Sequence, residues 1–188
     1  LMPALSFAPE LLLKAQGRGL GIKAAIFDVD GVLTDGSLYI GEHGEAFKAF
    51  HVLDGQGLKL LAQGGIAPIV ITGRDSLAVR RRVADLGLQH MRFGVADKLA
   101  AANELLQALA LEWADVAVMG DDWPDLPLLA QAGFACAPPN AHAEVRAAAN
   151  RRGRERADRM LSAYIVKMGA DIGLFDLVRS IRFESMHV

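Results

Sequence analysis

Short runs of apolar and β-branched residues alternate along this chain with longer stretches in which Ala and Leu recur at helical spacing. The runs at 23–29 (KAAIFDV), 66–71 (IAPIVI), 90–93 (HMRF), 115–119 (DVAVM) and 134–136 read as strands. The stretches at 55–63, 76–86, 98–111, 125–131 and 141–148 read as helices. Such alternation builds α/β units. Strands apolar along their whole length are expected where helices cover both faces of a parallel sheet, so the pattern predicts a three-layer sandwich. One segment departs from it. After Asp28-Val29-Asp30-Gly31, residues 32–50 (VLTDGSLYIGEHGEAFKAF) read as two short strands joined by Gly41-Glu42-His43-Gly44, a hairpin signal. A hairpin at that point sits beside the C-terminal edge of the sheet, where ligands bind in open α/β folds. A further helix is expected at 8–16.

Composition narrows the setting. With 188 residues and 52% hydrophobic content, the chain is expected to form one domain, leaving little for a second domain over a site. Its 22 acidic and 20 basic side chains give a net charge of −2, which argues against nucleic acid held by a whole-protein basic field. The single Cys136 excludes an internal disulfide framework and suits a reducing cytoplasm. The longest uncharged stretches, 60–73 and 126–143, are broken by Gly65, Pro68, Pro127, Pro138 and Pro139, too interrupted for a spanning helix. Residues 1–21 lack the basic, apolar and small-residue sequence of a signal peptide. A cytoplasmic protein without membrane partners is the expectation.

Acidic residues collect at the strand ends. Asp28 and Asp30 close the first strand, and two acids so near each other need a cation, or one must stay protonated. Such a DxDG segment is also what a strand-terminating turn looks like. Gly120-Asp121-Asp122-Trp123-Pro124-Asp125 follows the fourth strand in the same way and brings more carboxylates to that edge, together a site suited to Mg²⁺. Asp125 equally suits a helix cap. The third motif, Thr72-Gly73-Arg74, ends the strand at 66–71 with a hydroxyl, backbone N–H groups and a guanidinium, all donors for phosphoryl oxygens. Lys98 opens the helix at 98–111, where a solvated lysine is the plain alternative.

In this order, strand-DVDG, hairpin, strand-TGR, helix-opening Lys and strand-GDDxxD, the motifs resemble those of the haloacid dehalogenase superfamily of phosphohydrolases over residues 23 to about 140. The resemblance implies a Rossmann-like sandwich and a residue set. Asp28 would be the nucleophile forming an aspartyl phosphate, and Asp30 the general acid and then base, its backbone carbonyl on the metal. Thr72 and Lys98 would hold phosphoryl oxygens; Asp28, Asp30, Asp121 and Asp122 would serve the Mg²⁺, with Asp122 orienting a bound water. Neither intermotif gap is long enough for a cap domain. The wording DVDGVLTDG (28–36), EAFKAFHVLDGQG (45–57) and ITGRDS (71–76) is more specific, and is similar to the capless 3-deoxy-D-manno-octulosonate 8-phosphate phosphatases of lipopolysaccharide synthesis. That likeness implies a phosphorylated sugar acid as substrate and a cytoplasmic homotetramer assembled through the hairpin at 32–50.

A sugar acid phosphate carries anions at both ends, so cationic groups beyond the metal cluster are needed. Arg74 and Arg82 are the candidates. Val79, Val83 and Leu86 form the apolar stripe of their helix and Arg82 flanks it, although a solvated helix arginine looks the same. Asp54 and Gly55 could meet sugar hydroxyls; a cap at Asp54 is as economical. His43 and His51 receive no catalytic role. Leu38, Tyr39, Phe47 and Phe50 are candidates for an intersubunit surface, because an apolar hairpin leaving its sheet must be buried somewhere. Beyond about 147 the resemblance fails, and 149–188 is divergent: five arginines stand within 150–159, where relatives continue into a Gly-rich tail reaching an active site. Three other readings stay open: a phosphatase for a nine-carbon sialic-type acid phosphate, a non-catalytic oligomerising phosphatase-like module, and a signalling receiver. The motif order disfavours the last.

Overall fold

A computed structural model describes residues 22–63 and 65–156. The helix expected at 8–16, and the divergent segment from 157 onward, lie outside the described residues. In chain order the elements are β1 (Ala24–Phe27), a hairpin of β2 (Tyr39–Gly41) and β3 (Gly44–Phe47), α1 (Val52–Gln63), β4 (Ala67–Ile71), α2 (Leu77–Leu86), β5 (His90–Arg92), α3 (Lys98–Ala108), β6 (Val116–Met119), α4 (Leu126–Gln131), β7 (Phe134–Cys136) and α5 (Ala143–Arg156). Single 3₁₀ turns at Trp113–Asp115 and Trp123–Asp125 precede β6 and α4.

The five core strands form one parallel sheet in the order β5-β4-β1-β6-β7. Successive side chains of a strand point to opposite faces, and both faces are filled here. Ala24 and Ile26 pack with Ala102, Leu105, Leu128, Leu129 and Val145 of α3, α4 and α5. Ala25 and Phe27 pack on the other face with Leu58, Val79 and Val83 of α1 and α2. This is the three-layer α/β sandwich expected from the uninterrupted apolar strands. The chain leaves β1 towards β4 and β5 on one side, then crosses to β6 and β7 on the other. The order therefore reverses beside β1, and the crevice at the C-terminal ends of β4, β1 and β6 is where such sheets bind ligands.

Two helix starts are set by local chemistry. The Ser76 hydroxyl accepts from Val79 N and caps α2, which ends on Gly87 at φ 69°. The Asp97 carboxylate accepts from Ala100 N at 3.0 Å and caps α3, which places Lys98 as its first residue. The expected extent of the hairpin needs correction. Its strands cover only 39–41 and 44–47, because the chain first folds back on itself: the N–H groups of Val32, Leu33 and Thr34 all reach the Val29 carbonyl, at 3.2, 2.9 and 3.0 Å. Helix α1 begins at Val52, so Gly55 and Gly57 lie within it, and α3 ends at Ala108 rather than at 111. Among the described residues no helix is long and apolar enough to cross a membrane.

Candidate active site

Three strand ends supply the crevice. Asp28 directly follows β1, Thr72 follows β4 and Asp121 lies just beyond β6, each at the C-terminal edge. Lys98 comes in from the start of α3, and its Nζ lies 2.7 Å from Asp28 Oδ1 and 2.7 Å from Asp125 Oδ1; all three side chains are buried. Asp125 has a second task. Its Oδ2 accepts from the backbone N–H groups of Asp121 and Asp122 at 3.1 and 3.3 Å, closing the turn that presents Asp121. The close approach depends on two glycines. A Cβ on Gly31, which sits at φ +93°, would lie 2.0 Å from Asp121 Oδ2, and one on Gly120 would lie 2.4 Å from Asp125 Cβ. Asn140 ties down the DVDG turn, donating to the Gly31 carbonyl at 2.9 Å.

Carboxylate oxygens of Asp28, Asp121 and Asp125 lie within 4.8 Å of one another. Like charges this close oppose ionisation. Burial, reinforced by the neighbouring Asp28, Asp125 and Asp122 carboxylates, pushes the Asp121 carboxyl up to about 7. Burial also raises Asp28, against the pull of Lys98. Burial opposes the charge on Lys98, but its two carboxylate partners more than offset it and hold the ammonium above its ordinary range.

One atom is left over. Among the described residues, Asp121 Oδ1 is buried with no hydrogen-bond partner, a condition rare for a carboxylate oxygen unless something absent from the protein chain binds it. With a single ammonium facing three carboxylates, the residues fit a hard divalent cation, which takes oxygen ligands and would relieve both the excess negative charge and the orphaned oxygen. Asp28, Asp121 and Asp125 are the side chains grouped to hold it. Asp122, expected to serve the metal, lies outside that group: its carboxylate caps the 3₁₀ turn by accepting from Trp123 N at 2.8 Å.

Asp30 points into a second set of charges. Its Oδ1 receives Lys48 Nζ, its Oδ2 lies 3.7 Å from Arg74 Nε, and Glu45 joins both cations, 3.1 Å from Lys48 Nζ and 3.6 Å from Arg74. The Ser76 hydroxyl donates to the other oxygen of Glu45. Burial pushes the Glu45 carboxyl up, but the Ser76 hydroxyl and the Lys48 ammonium outweigh it and hold it below the usual range. Thr72 is buried, and its hydroxyl oxygen accepts from Arg74 N at 3.2 Å, leaving its proton free to donate. Arg74, beside Asp30, is thus brought to the catalytic edge. The Arg82 guanidinium donates to the His51 carbonyl at 3.4 Å and passes over the Phe50 ring. Asp54, Gly55 and Arg82 together line one cleft between α1 and α2 that reaches Val29, the residue between Asp28 and Asp30.

Comparison with known proteins agrees with this geometry. The sequence model of the haloacid dehalogenase-like hydrolases matches residues 94–158. The 3-deoxy-D-manno-octulosonate 8-phosphate phosphatase of Salmonella typhimurium is 40% identical over 135 residues, 72% of this chain and 70% of that protein. The Haemophilus influenzae phosphatase of the same name is 39% identical over 159 residues, 82% of this chain and 88% of that one. The chain belongs to this phosphatase family. It is therefore a phosphoric monoester hydrolase of the haloacid dehalogenase type. Among solved structures, the Moraxella catarrhalis phosphatase in complex with magnesium ion, phosphate ion and 3-deoxy-octulosonate superposes with a TM-score of 0.68 at 34% identity, covering 97% of this chain and 100% of that one.

Several residues around this phosphatase site were not legible beforehand. Asp125, read either as one of the edge carboxylates or as a cap, does both: it closes the turn and pairs with Lys98. The GDDxxD spacing was the signal that marked it. Glu45 and Lys48 stand in the family-like wording at 45–57 but suggested no role, since a hairpin's charged residues ordinarily face solvent.

Proposed function

We propose that this chain hydrolyses 3-deoxy-D-manno-octulosonate 8-phosphate to the free sugar acid and inorganic phosphate, with Mg²⁺ as cofactor and Asp28 as nucleophile. The observation that carries the reading is the buried Asp28–Lys98–Asp125 chain beside the unpartnered Asp121 oxygen, at the crevice where the strand order reverses. The chemistry follows from what each side chain can do. Lys98 engages Asp28 Oδ1 and leaves the second oxygen to attack phosphorus. The bond to the substrate's C8 oxygen breaks, and Asp30, entering the step as the neutral acid, gives its proton to that leaving alkoxide and becomes the carboxylate. Water then attacks the aspartyl phosphate, Asp30 takes the water's proton, and the phosphorus–Asp28 bond breaks to release phosphate. Thr72 and Lys98 donate to phosphoryl oxygens as charge builds on them. The cation's own contribution, when bound, is to draw charge off those oxygens.

Arg74 is the residue proposed to meet the substrate's anionic groups, since it is half exposed at the mouth beside Asp30. The proposal includes assembly in the cytoplasm as a homotetramer through the hairpin. Supporting it, Leu38, Ile40 and Phe47 are 47%, 64% and 55% exposed, and Tyr39 stacks on Phe47 at 4.4 Å, forming an apolar face on an element that leaves the sheet. The asserted specificity is tested by Mg²⁺-dependent phosphate release from the eight-carbon acid phosphate, a nine-carbon acid phosphate and a panel of hexose phosphates. We expect the eight-carbon substrate to dominate and Asp28→Asn to abolish turnover. Comparable rates across the panel would refute the substrate, and turnover by Asp28→Asn would refute the mechanism.

A further inference from the structure

Lysine is seldom buried, yet the Lys48 side chain is 1% exposed. It is held between two acids, Asp30 and Glu45, and nothing in the reaction as written above calls on it. The second acid is itself fixed: Glu45 receives the Ser76 hydroxyl at the cap of α2, so the hairpin is pinned to the body of the fold through the same network. We infer that Lys48 is a positioning residue for Asp30, fixing the carboxylate so that Oδ2, and not Oδ1, faces the leaving oxygen. This rests on the reading of Asp30 as general acid and base.

The geometry distinguishes the two oxygens. An ammonium only donates, so the Oδ1 it engages is an acceptor site and is turned towards the buried Lys48 side chain. Oδ2 is left on the side of Arg74, whose guanidinium is 45% exposed and stands where an anionic substrate enters. Without Lys48 the carboxylate would be free to rotate and to swing onto Arg74. A neutral replacement would lose the orientation while Asp28, Lys98 and the metal-holding carboxylates stay in place. Proton delivery to a poor leaving group depends on such placement, and misplacing a catalytic group is worth about 10- to 100-fold in rate.

The test compares Lys48→Met, Lys48→Arg and Asp30→Asn on 3-deoxy-octulosonate 8-phosphate, an alkyl ester that needs its leaving oxygen protonated, and on p-nitrophenyl phosphate, which needs little help. If the eight-carbon ester is not turned over, the best alkyl phosphate of the panel replaces it. We expect Lys48→Met to lower kcat on the alkyl ester about 10- to 100-fold, with KM little changed and the aryl ester nearly unaffected. Lys48→Arg should recover part of the alkyl rate. Equal losses on both esters, accompanied by a lower melting temperature, would mean that Lys48 only supports the fold and would overturn the inference, as would unchanged rates. Asp30→Asn separates the two levels. If it discriminates between the esters and Lys48→Met does not, the positioning role fails alone; if Asp30→Asn does not discriminate either, the acid–base reading fails with it.

Discussion

Replacing Asp121 by Asn should stabilise the metal-free protein, although it removes a residue proposed for the working site. Burial and three nearby carboxylates raise the Asp121 carboxyl from 3.8 to about 7. In the unfolded chain this group loses its proton near pH 4; in the folded protein it keeps it until about pH 7. Between those values the folded state holds the extra proton, so stability falls as pH rises, and above about pH 7 the full penalty is present. At about 1.4 kcal/mol per unit the shift sets a ceiling of roughly 4 kcal/mol. The carboxyl is only half-buried, and solvent screening reduces the figure to about 1–2 kcal/mol. For a domain of this size, that corresponds to roughly 2–8 °C in Tm. Thermal melts in chelator at pH 5 and pH 8 check it. Asp121→Asn should melt higher than the parent at pH 8, by a smaller margin at pH 5, where the unfolded carboxyl is already ionised but the folded one still holds its proton, and millimolar Mg²⁺ should raise the parent while barely moving the variant. A variant that melts lower than the parent at pH 8 in chelator would refute the claim that the crowded carboxylates oppose folding.

Other outcomes follow from the same geometry. Lys98→Met leaves Asp28 and Asp125 buried without a counter-charge; a loss of about 3–5 kcal/mol is expected in chelator, read by denaturant melts, together with loss of turnover. Asp30→Asn should leave the Mg²⁺-induced rise in Tm intact while abolishing turnover of the alkyl ester, because its carboxylate sits with Lys48 and Arg74 and not in the metal group. Paired Ile40→Asp and Phe47→Asp substitutions should move sedimentation from tetramer to smaller species with little effect on the folded subunit, as both side chains are exposed. A parent protein that sediments as an active monomer would remove the assembly proposal.

What could be read from the sequence was whatever a local pattern enforces. An apolar run ending in an acid gives both a strand and the placement of its terminal carboxylate, so Asp28, Thr72 and Asp121 fell at one edge as soon as the sheet was taken as parallel. Contacts that depend on another element's surface could not be read this way. Arg82 does flank the stripe of Val79 and Val83, but what it meets is decided across the helix pair: Gly55 has no Cβ, and one built there would stand 2.2 Å from the guanidinium. Lys48 was hidden for another reason. Strand alternation fixes direction only while the strand lasts, and β3 ends at Phe47, so the turn of Lys48 into the site has no periodic signature.

The two aspartates of the DVDG turn show how neighbouring identical side chains take different work. Asp28 enters a set in which it, Asp121 and Asp125 face, among the described residues, one cation, Lys98, so negative charge is in excess and a cation is drawn to it. Asp30 enters a set in which it and Glu45 face Lys48 and Arg74, so no excess of negative charge is left to draw a cation. A carboxylate paired with fixed cations gains little from a metal and does not compete for one. That leaves Asp30 to handle protons while Asp28 handles phosphorus. The division requires the hairpin, because both Glu45 and Lys48 are carried there, and so the element that leaves the sheet with an exposed apolar face is also the one that separates the roles of the two acids.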